Sequence, residues 1–136
     1  MTLTEYMLRL GCALGCGMVI GIERQFHHKS AGLKTNTLVA LGAAVYVLLS
    51  IQLADESGTD VTRIIGQVVT GVGFLGAGVI LHQGATVQGL TTAATIWCSS
   101  AVGCLAAAGY YAEAGITSLL IVVINYVLRS VDKWVR

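Results

Sequence analysis

"GVGFLGAGVI", residues 71–80, contains G-x-G-x-x-G at Gly71, Gly73 and Gly76. That spacing suits two different folds. In a soluble dinucleotide-binding unit the glycines form a tight turn between a strand and a helix, and an acidic residue follows about 20 positions later. In a membrane protein the same glycines form the small-residue face of a buried helix. The flanking sequence decides between them. The apolar run continues on both sides of the glycines, and the first acid downstream is Glu113. The nucleotide reading fails on its own requirements. "GLKT" at Gly32–Thr35 likewise lacks the adjacent Gly-Lys pair of a P-loop.

Composition widens this conclusion to the whole chain. The 136 residues are 55% hydrophobic and 11% charged, with a mean hydropathy of +0.77. A soluble domain is nearer one quarter charged. From Ile64 to Ala112 there is no Asp, Glu, Lys or Arg. A bilayer core about 30 Å thick takes roughly 20 apolar residues per helix. The pattern predicts an all-α, polytopic membrane protein forming one transmembrane domain over residues 1–136, with the lipid bilayer as its surroundings. Five spans are expected at roughly 3–22, 37–53, 64–81, 90–108 and 112–128. The second and fifth are short for a full crossing and should run nearly along the membrane normal. Glu5 and Arg9, four apart, suit an ion pair on one face of the first span. No basic head or A-x-A-like cleavage site marks that span as a signal peptide, so it should be retained.

The loops predict an orientation. The first carries Arg24, Lys29 and Lys34; the second carries Asp55, Glu56 and Asp60 against Arg63; the tail carries Arg129, Lys133 and Arg136. Lys and Arg favour the cytoplasmic side. The first loop and tail are then inside and the N-terminus outside, which an odd number of spans allows. The net charge of +1 gives no electrostatic reason for nucleic-acid binding.

On a wheel of about 100° per residue, Gly66, Gly73, Gly76 and Ala77 share one face of the third span. Gly71 and Gly78 share a nearly opposite one. Glycine lets membrane helices approach closely, so the third span is expected at the centre of the bundle, contacted on two sides. The first span, with Gly11 and Gly15, then Gly17 and Gly21, is its expected partner. The same surfaces would serve a homo-oligomer, and spacing does not separate the two.

Polar residues within the spans are few. Thr91, Thr95 and Cys98 share one face of the fourth span, with Thr92 and Ser99 beside it. The local reading is hydroxyls bonding the carbonyl one turn back; the sharper one is a polar seam lining a cavity or a helix contact. Gln67, one turn beyond Arg63, needs a partner if buried. Glu23 and Arg24 read locally as a pair snorkelling to the interface. His27 and His28 are a solvated pair or a metal-binding one. Acids that would cage a hard cation in mid-membrane are lacking, no cofactor motif remains, and no nucleophile–base set points to an enzyme. The four cysteines, Cys12, Cys16, Cys98 and Cys104, fall in apolar stretches and form no C-x-x-C.

Three stretches carry a resemblance. "GIERQFHHKSAGLKTNTLVALGA" is similar to the pattern G-x-E-R-E followed by K-x-A-G-L-R-T-H-T-L-V, while "RIIGQVVTGVGFLGAGVIL" and "GLTTAATIW" look like two further hallmarks in the right order. The sequence thereby resembles the MgtC/SapB family of bacterial inner-membrane proteins. The resemblance implies a non-enzymatic regulator of adaptation to low magnesium, with survival in host macrophages for some members. It also implies partners among other membrane proteins, such as the proton-translocating ATP synthase or cation transport ATPases. The alternative is a small transporter or channel for Mg2+ or another solute. Its motif positions are Glu23, Arg24, Lys34, Thr35, Arg63, Gln67, Gly71, Gly73, Gly76, Gly78, Thr91, Thr92, Thr95 and Cys98. Departures are Gln25 for an acid, Ser30 for a frequent proline, Lys34 for Arg, Asn36 for His, and Thr91 where some members have Asn. Lys34 lacks a guanidinium's planar fork. Many relatives carry a soluble C-terminal ACT-like domain; with the sequence ending soon after the fifth span, the expectation is either a short family member or a piece of a longer one, and functions residing in that domain, virulence included, are not expected to carry over.

Overall fold

The computed structural model describes residues 1–83 and 85–135. Five helices follow the five apolar runs: α1 (Leu3–Phe26), α2 (Leu33–Ser57), α3 (Thr62–Val79), α4 (Leu90–Ala107) and α5 (Tyr111–Val135). All five are long and apolar enough to cross a membrane. Between α3 and α4 lies a short antiparallel pair, β1 (Leu81–Gln83) and β2 (Thr86–Gln88), with Leu81 opposite Gln88. The expected third span had run through Leu81; it stops at Val79 and the chain turns extended.

Span lengths depart from expectation. The second and fifth spans are 25-residue helices, about 37 Å each at 1.5 Å per residue. They are therefore the longest crossings rather than short ones. Hydropathy places their limits short of their polar ends, "LKTN" opening α2 and "RSVDKWV" closing α5, where a helix continues through the interface with its backbone bonds intact. The shortest are α3 and α4, with 18 residues each.

Helix α1 begins in a capping box. Thr2 Oγ1 accepts from the Glu5 N–H at 3.2 Å, and Glu5 Oε2 accepts from the Thr2 N–H at 3.1 Å. With Glu5 so engaged, the expected Glu5–Arg9 pair gives way. Arg9 instead donates to the Ala107 carbonyl at 2.8 Å, one of the last carbonyls of α4, which lack intrahelical partners and carry the negative end of the helix dipole. At the start of α3, Asp60 accepts from the Thr62 hydroxyl at 2.7 Å and its N–H at 2.9 Å. These bonds hold the exposed Asp60 carboxyl below the usual carboxylate range.

The expectation that the third span is central is overturned. Helix α4 holds the centre: it packs against all four other helices, whereas α3 packs on α4 and only lightly on α2. Along α4, residues such as Ser99, Ser100, Val102, Gly103, Ala106 and Ala107 are buried, against Val68 and Gly76 alone on α3. Small residues among these, Gly103 above all, allow a neighbouring backbone to close in. The α3 glycines differ in surroundings. A Cβ at Gly76 would lie 3.5 Å from Ala93 Cβ, an ordinary contact, while at Gly66, Gly71, Gly73 and Gly78 it would meet nothing within 4 Å. Gly11 and Gly15 also face open space. Of the glycines on the two expected faces, only Gly76 meets a neighbour, on α4, and α1 is not the partner of α3.

The close approaches lie elsewhere. A Cβ on Gly17 would sit 2.9 Å from Ala40 Cβ, and one on Gly21 would sit 2.6 Å from Leu33 Cα. A Cβ on Gly103 would collide with the Ala40 carbonyl. Ala40, fully buried, is therefore pressed between α1 and α4. The pairs Arg24–Thr92 and Arg9–Ala107 make α1 antiparallel to α4, while Asn36–Ser99 and Ala40–Gly103 make α2 parallel to it. These directions are those of successive crossings.

Gly103→Ala should destabilise the bundle by about 1–3 kcal/mol, the usual cost of overpacking. Gly71→Ala should be neutral or gain up to about 1 kcal/mol from helix propensity. Reversible unfolding in mixed micelles measures both. Equal effects of the two substitutions would remove Ala40–Gly103 as the determining contact.

Candidate functional site

The C-terminal end of α1, the N-terminal end of α4 and the C-terminal half of α5 meet around a cavity of about 540 Å³. Thr91, Thr95 and Cys98, which share a helical face, form its α4 wall. From α5 come Ile121, Ile124, Asn125, Leu128, Arg129 and Asp132, and from the α1 side Arg24 and Lys29.

Arg24 is only 2% exposed. Its Nη2 donates to Thr92 Oγ1 at 2.9 Å, while its Nε–H has no acceptor among the described residues. Glu23, 8% exposed, turns the other way: its Oε1 lies 2.7 Å from His27 Nδ1. The other carboxylate oxygen, Oε2, is buried without a partner among the described residues. The two side chains are thus not a snorkelling pair; both are drawn in by partners on the protein. His27 is partly buried rather than fully solvated. Its Nδ1 is also 2.9 Å from the Glu23 carbonyl, and its ring lies 6.1 Å from that of Tyr126 on α5. No group of three or more His, Cys, Asp or Glu close enough to hold a metal occurs among the described residues.

The hydroxyls of α4 do both things the sequence allowed. Thr95 Oγ1 donates to the Thr91 carbonyl at 2.8 Å, the local bond, and accepts from Asn125 Nδ2 at 3.1 Å, a contact between helices. Ser99 donates to Asn36 Oδ1 at 2.8 Å. Asn36 is fully buried and its Nδ2 donates to the Ala31 and Gly32 carbonyls at 3.1 and 2.9 Å. One amide therefore fixes the α1–α2 loop and ties α2 to α4.

Other candidate residues stand apart. Gln67 lies with Gly71 in a second, largely apolar groove of about 520 Å³ between α2 and α3. Arg63 is exposed at the start of α3, the opposite end of the bundle from Arg24. Lys34 and Thr35, in the first turn of α2, line neither cavity. The sequence reading missed Asn125, Arg129 and Asp132 as cavity residues and Asn36 as a tie. Asn125 had a signal: an amide inside "LLIVVINYVL" requires a partner. Arg129, in the sequence, reads only as a topology marker.

Thr92→Val keeps the shape but removes the acceptor for Arg24. The loss should be about 1.5–3 kcal/mol, the range for hydrogen bonds to charged groups. A double-mutant cycle with Arg24→Gln, read by unfolding in mixed micelles, should show coupling between the sites; additive effects would contradict the bond.

An uncharacterized protein of Synechocystis sp. is 48% identical over 132 residues, 97% of this chain and 56% of its own length. Protein MgtC of Brucella abortus is 50% identical over 113 residues, 83% of this chain and 47% of its own. Protein MgtC of Salmonella typhimurium is 45% identical over 130 residues, 96% of this chain and 55% of its own. The chain spans about half the length of these curated relatives. No solved structure matches it. The MgtC family model matches residues 10–134, and the chain, a multi-pass membrane protein, belongs to the MgtC family.

Proposed function

We propose that the protein is a non-enzymatic regulator in the bacterial inner membrane, acting in adaptation to low magnesium by packing against helices of other membrane proteins. The observation that carries this reading is the outward-facing glycine surface of α3. A Cβ at Gly66, Gly71, Gly73 or Gly78 would meet nothing within 4 Å, and Gly71 opens onto the groove of about 520 Å³ between α2 and α3. In lipid, helices associate through close packing of small residues, since burial from water supplies no drive there. A glycine face left open offers a neighbouring helix more contact than a leucine face does. Family membership supports a role of the MgtC type, and the positive loops support the inner membrane with the N-terminus outside. A second copy of the chain, the ATP synthase and cation transport ATPases are the partners this reading admits.

A magnesium pathway is the competing reading. The cavity beside Arg24 is where such a path would begin, yet its described lining carries Arg24, Lys29 and Arg129 against Asp132 alone. Fixed positive charge of that kind repels a dication in a pore.

A photo-crosslinking residue at Phe74, which is 82% exposed on α3, tests the proposal in cells grown at low magnesium. It should capture a distinct membrane protein, and Gly73→Leu should abolish capture while leaving the purified protein folded. Proteoliposomes containing only this protein, with Glu23→Gln as the comparison, should take up no magnesium above empty vesicles. Saturable uptake lost in Glu23→Gln would overturn the regulatory reading in favour of transport.

A further inference from the structure

We propose that the cavity between α1, α4 and α5 binds a phosphate oxyanion, held between the guanidinium groups of Arg24 and Arg129. The inference does not depend on the regulatory reading. It starts from a buried cation with no carboxylate in contact with it among the described residues. Arginine stays protonated in proteins, and a charge taken out of water requires compensation by partners. Among the described residues, no Lys or Arg is paired with a carboxylate, and Glu23, next to Arg24 in the chain, has its Oε1 2.7 Å from His27 Nδ1. Arg24 is 2% exposed, has one neutral hydroxyl partner and keeps an Nε–H without an acceptor. It nevertheless lines a cavity of about 540 Å³.

The rest of that cavity has the chemistry of an anion site. Lys29 and Arg129 line it with Arg24, against one acid, Asp132. Two arginines and a lysine around one space repel one another when it is empty. An oxyanion among them removes that repulsion and offers the several acceptor lone pairs that guanidinium donors match. Leu90 and Thr91, the first residues of α4, also line the space. A helix N-terminus contributes partial positive charge there.

The walls narrow the ligand class. Ile124 and Leu128 line the cavity and remain 52% and 54% exposed, so the apolar side opens laterally. A basic end joined to a lateral apolar trough between transmembrane helices suits an anionic phospholipid, with phosphate on the arginines and acyl chain along α5. Free inorganic phosphate presents the same oxyanion without needing the trough. Zwitterionic phosphatidylcholine presents it beside a quaternary ammonium that the three basic side chains oppose.

The test uses the full chain, purified in a non-ionic detergent and delipidated, titrated with short-chain phosphatidylglycerol, short-chain phosphatidylcholine and inorganic phosphate in parallel. Thermal unfolding and native mass spectrometry are the readouts. Phosphatidylglycerol should raise the unfolding temperature saturably and give a one-to-one adduct, with phosphatidylcholine much weaker. Inorganic phosphate producing the same saturable shift would support the oxyanion site and assign free phosphate as its source. Arg129→Gln should weaken binding roughly fivefold, the worth of one basic contact at a membrane surface, and Arg129→Lys should restore most of it. Arg24→Gln removes a buried bond and can fail to fold; Lys29→Gln, on an exposed loop residue, supplies an independent weakening. The proposal is overturned if neither phosphatidylglycerol nor phosphate binds saturably, if phosphatidylcholine binds equally, or if neither Arg129→Gln nor Lys29→Gln changes the affinity.

Discussion

The bundle depends on one close approach. Ala40 of α2 lies with Gly17 of α1 on one side and Gly103 of α4 on the other, and neither glycine has room for a Cβ. Between lipid-embedded helices, dispersion contacts and hydrogen bonds must supply what water exclusion supplies in a soluble core. Both require short distances. The pinch at Ala40 brings the α2 and α4 backbones close enough for Ser99 to reach Asn36 at 2.8 Å. It also holds α1 where Arg24 reaches Thr92 at 2.9 Å. A larger side chain at any of the three positions separates the helices on which these bonds depend.

The polar interior follows from that geometry. Helix α4 carries five hydroxyls, and three are used by three different neighbours: Thr92 by α1, Ser99 by α2 and Thr95 by α5. A hydroxyl can bond back to its own helix and still accept from another, as Thr95 does. Small hydroxylated residues thus permit both close packing and side-chain bonding. A leucine-rich central helix would hold its neighbours farther away and give them nothing to bond.

The number of helices was legible because it depends on summed hydropathy, and the charge-free stretch from Ile64 to Ala112 leaves little choice. The centre of the bundle was not legible. A wheel shows that Gly73 and Gly76 share a face, but not whether that face meets a helix or open surroundings. Gly17, Gly21 and Gly103 have the close contacts, while Gly11, Gly15 and Gly73 have none. In the site, the α4 face of Thr91, Thr95 and Cys98 was readable from helical spacing alone. Its partners Asn125 and Arg129 lie some thirty residues later, and only the return of α5 brings them alongside. Glu23 misled because its sequence neighbour Arg24 offers an obvious partner; the i,i+4 spacing to His27, also visible in the sequence, gives the real one.

The basic residues connect topology with the site. Arg24, Lys29 and Arg129 belong to the charges from which an inside end was expected, and the same three line one cavity. Orientation by positive charge requires only that Lys and Arg flank the spans on one side. It does not require Arg24 to be buried or to share a space with Arg129. Solvated arginines would mark the inside equally well and avoid desolvation. Thr92 reduces that cost for one nitrogen of Arg24 but supplies no negative charge. An electrostatic role beyond topology therefore falls to the contents of the cavity, and an anion there would stabilise the end of the bundle where α1, α4 and α5 meet.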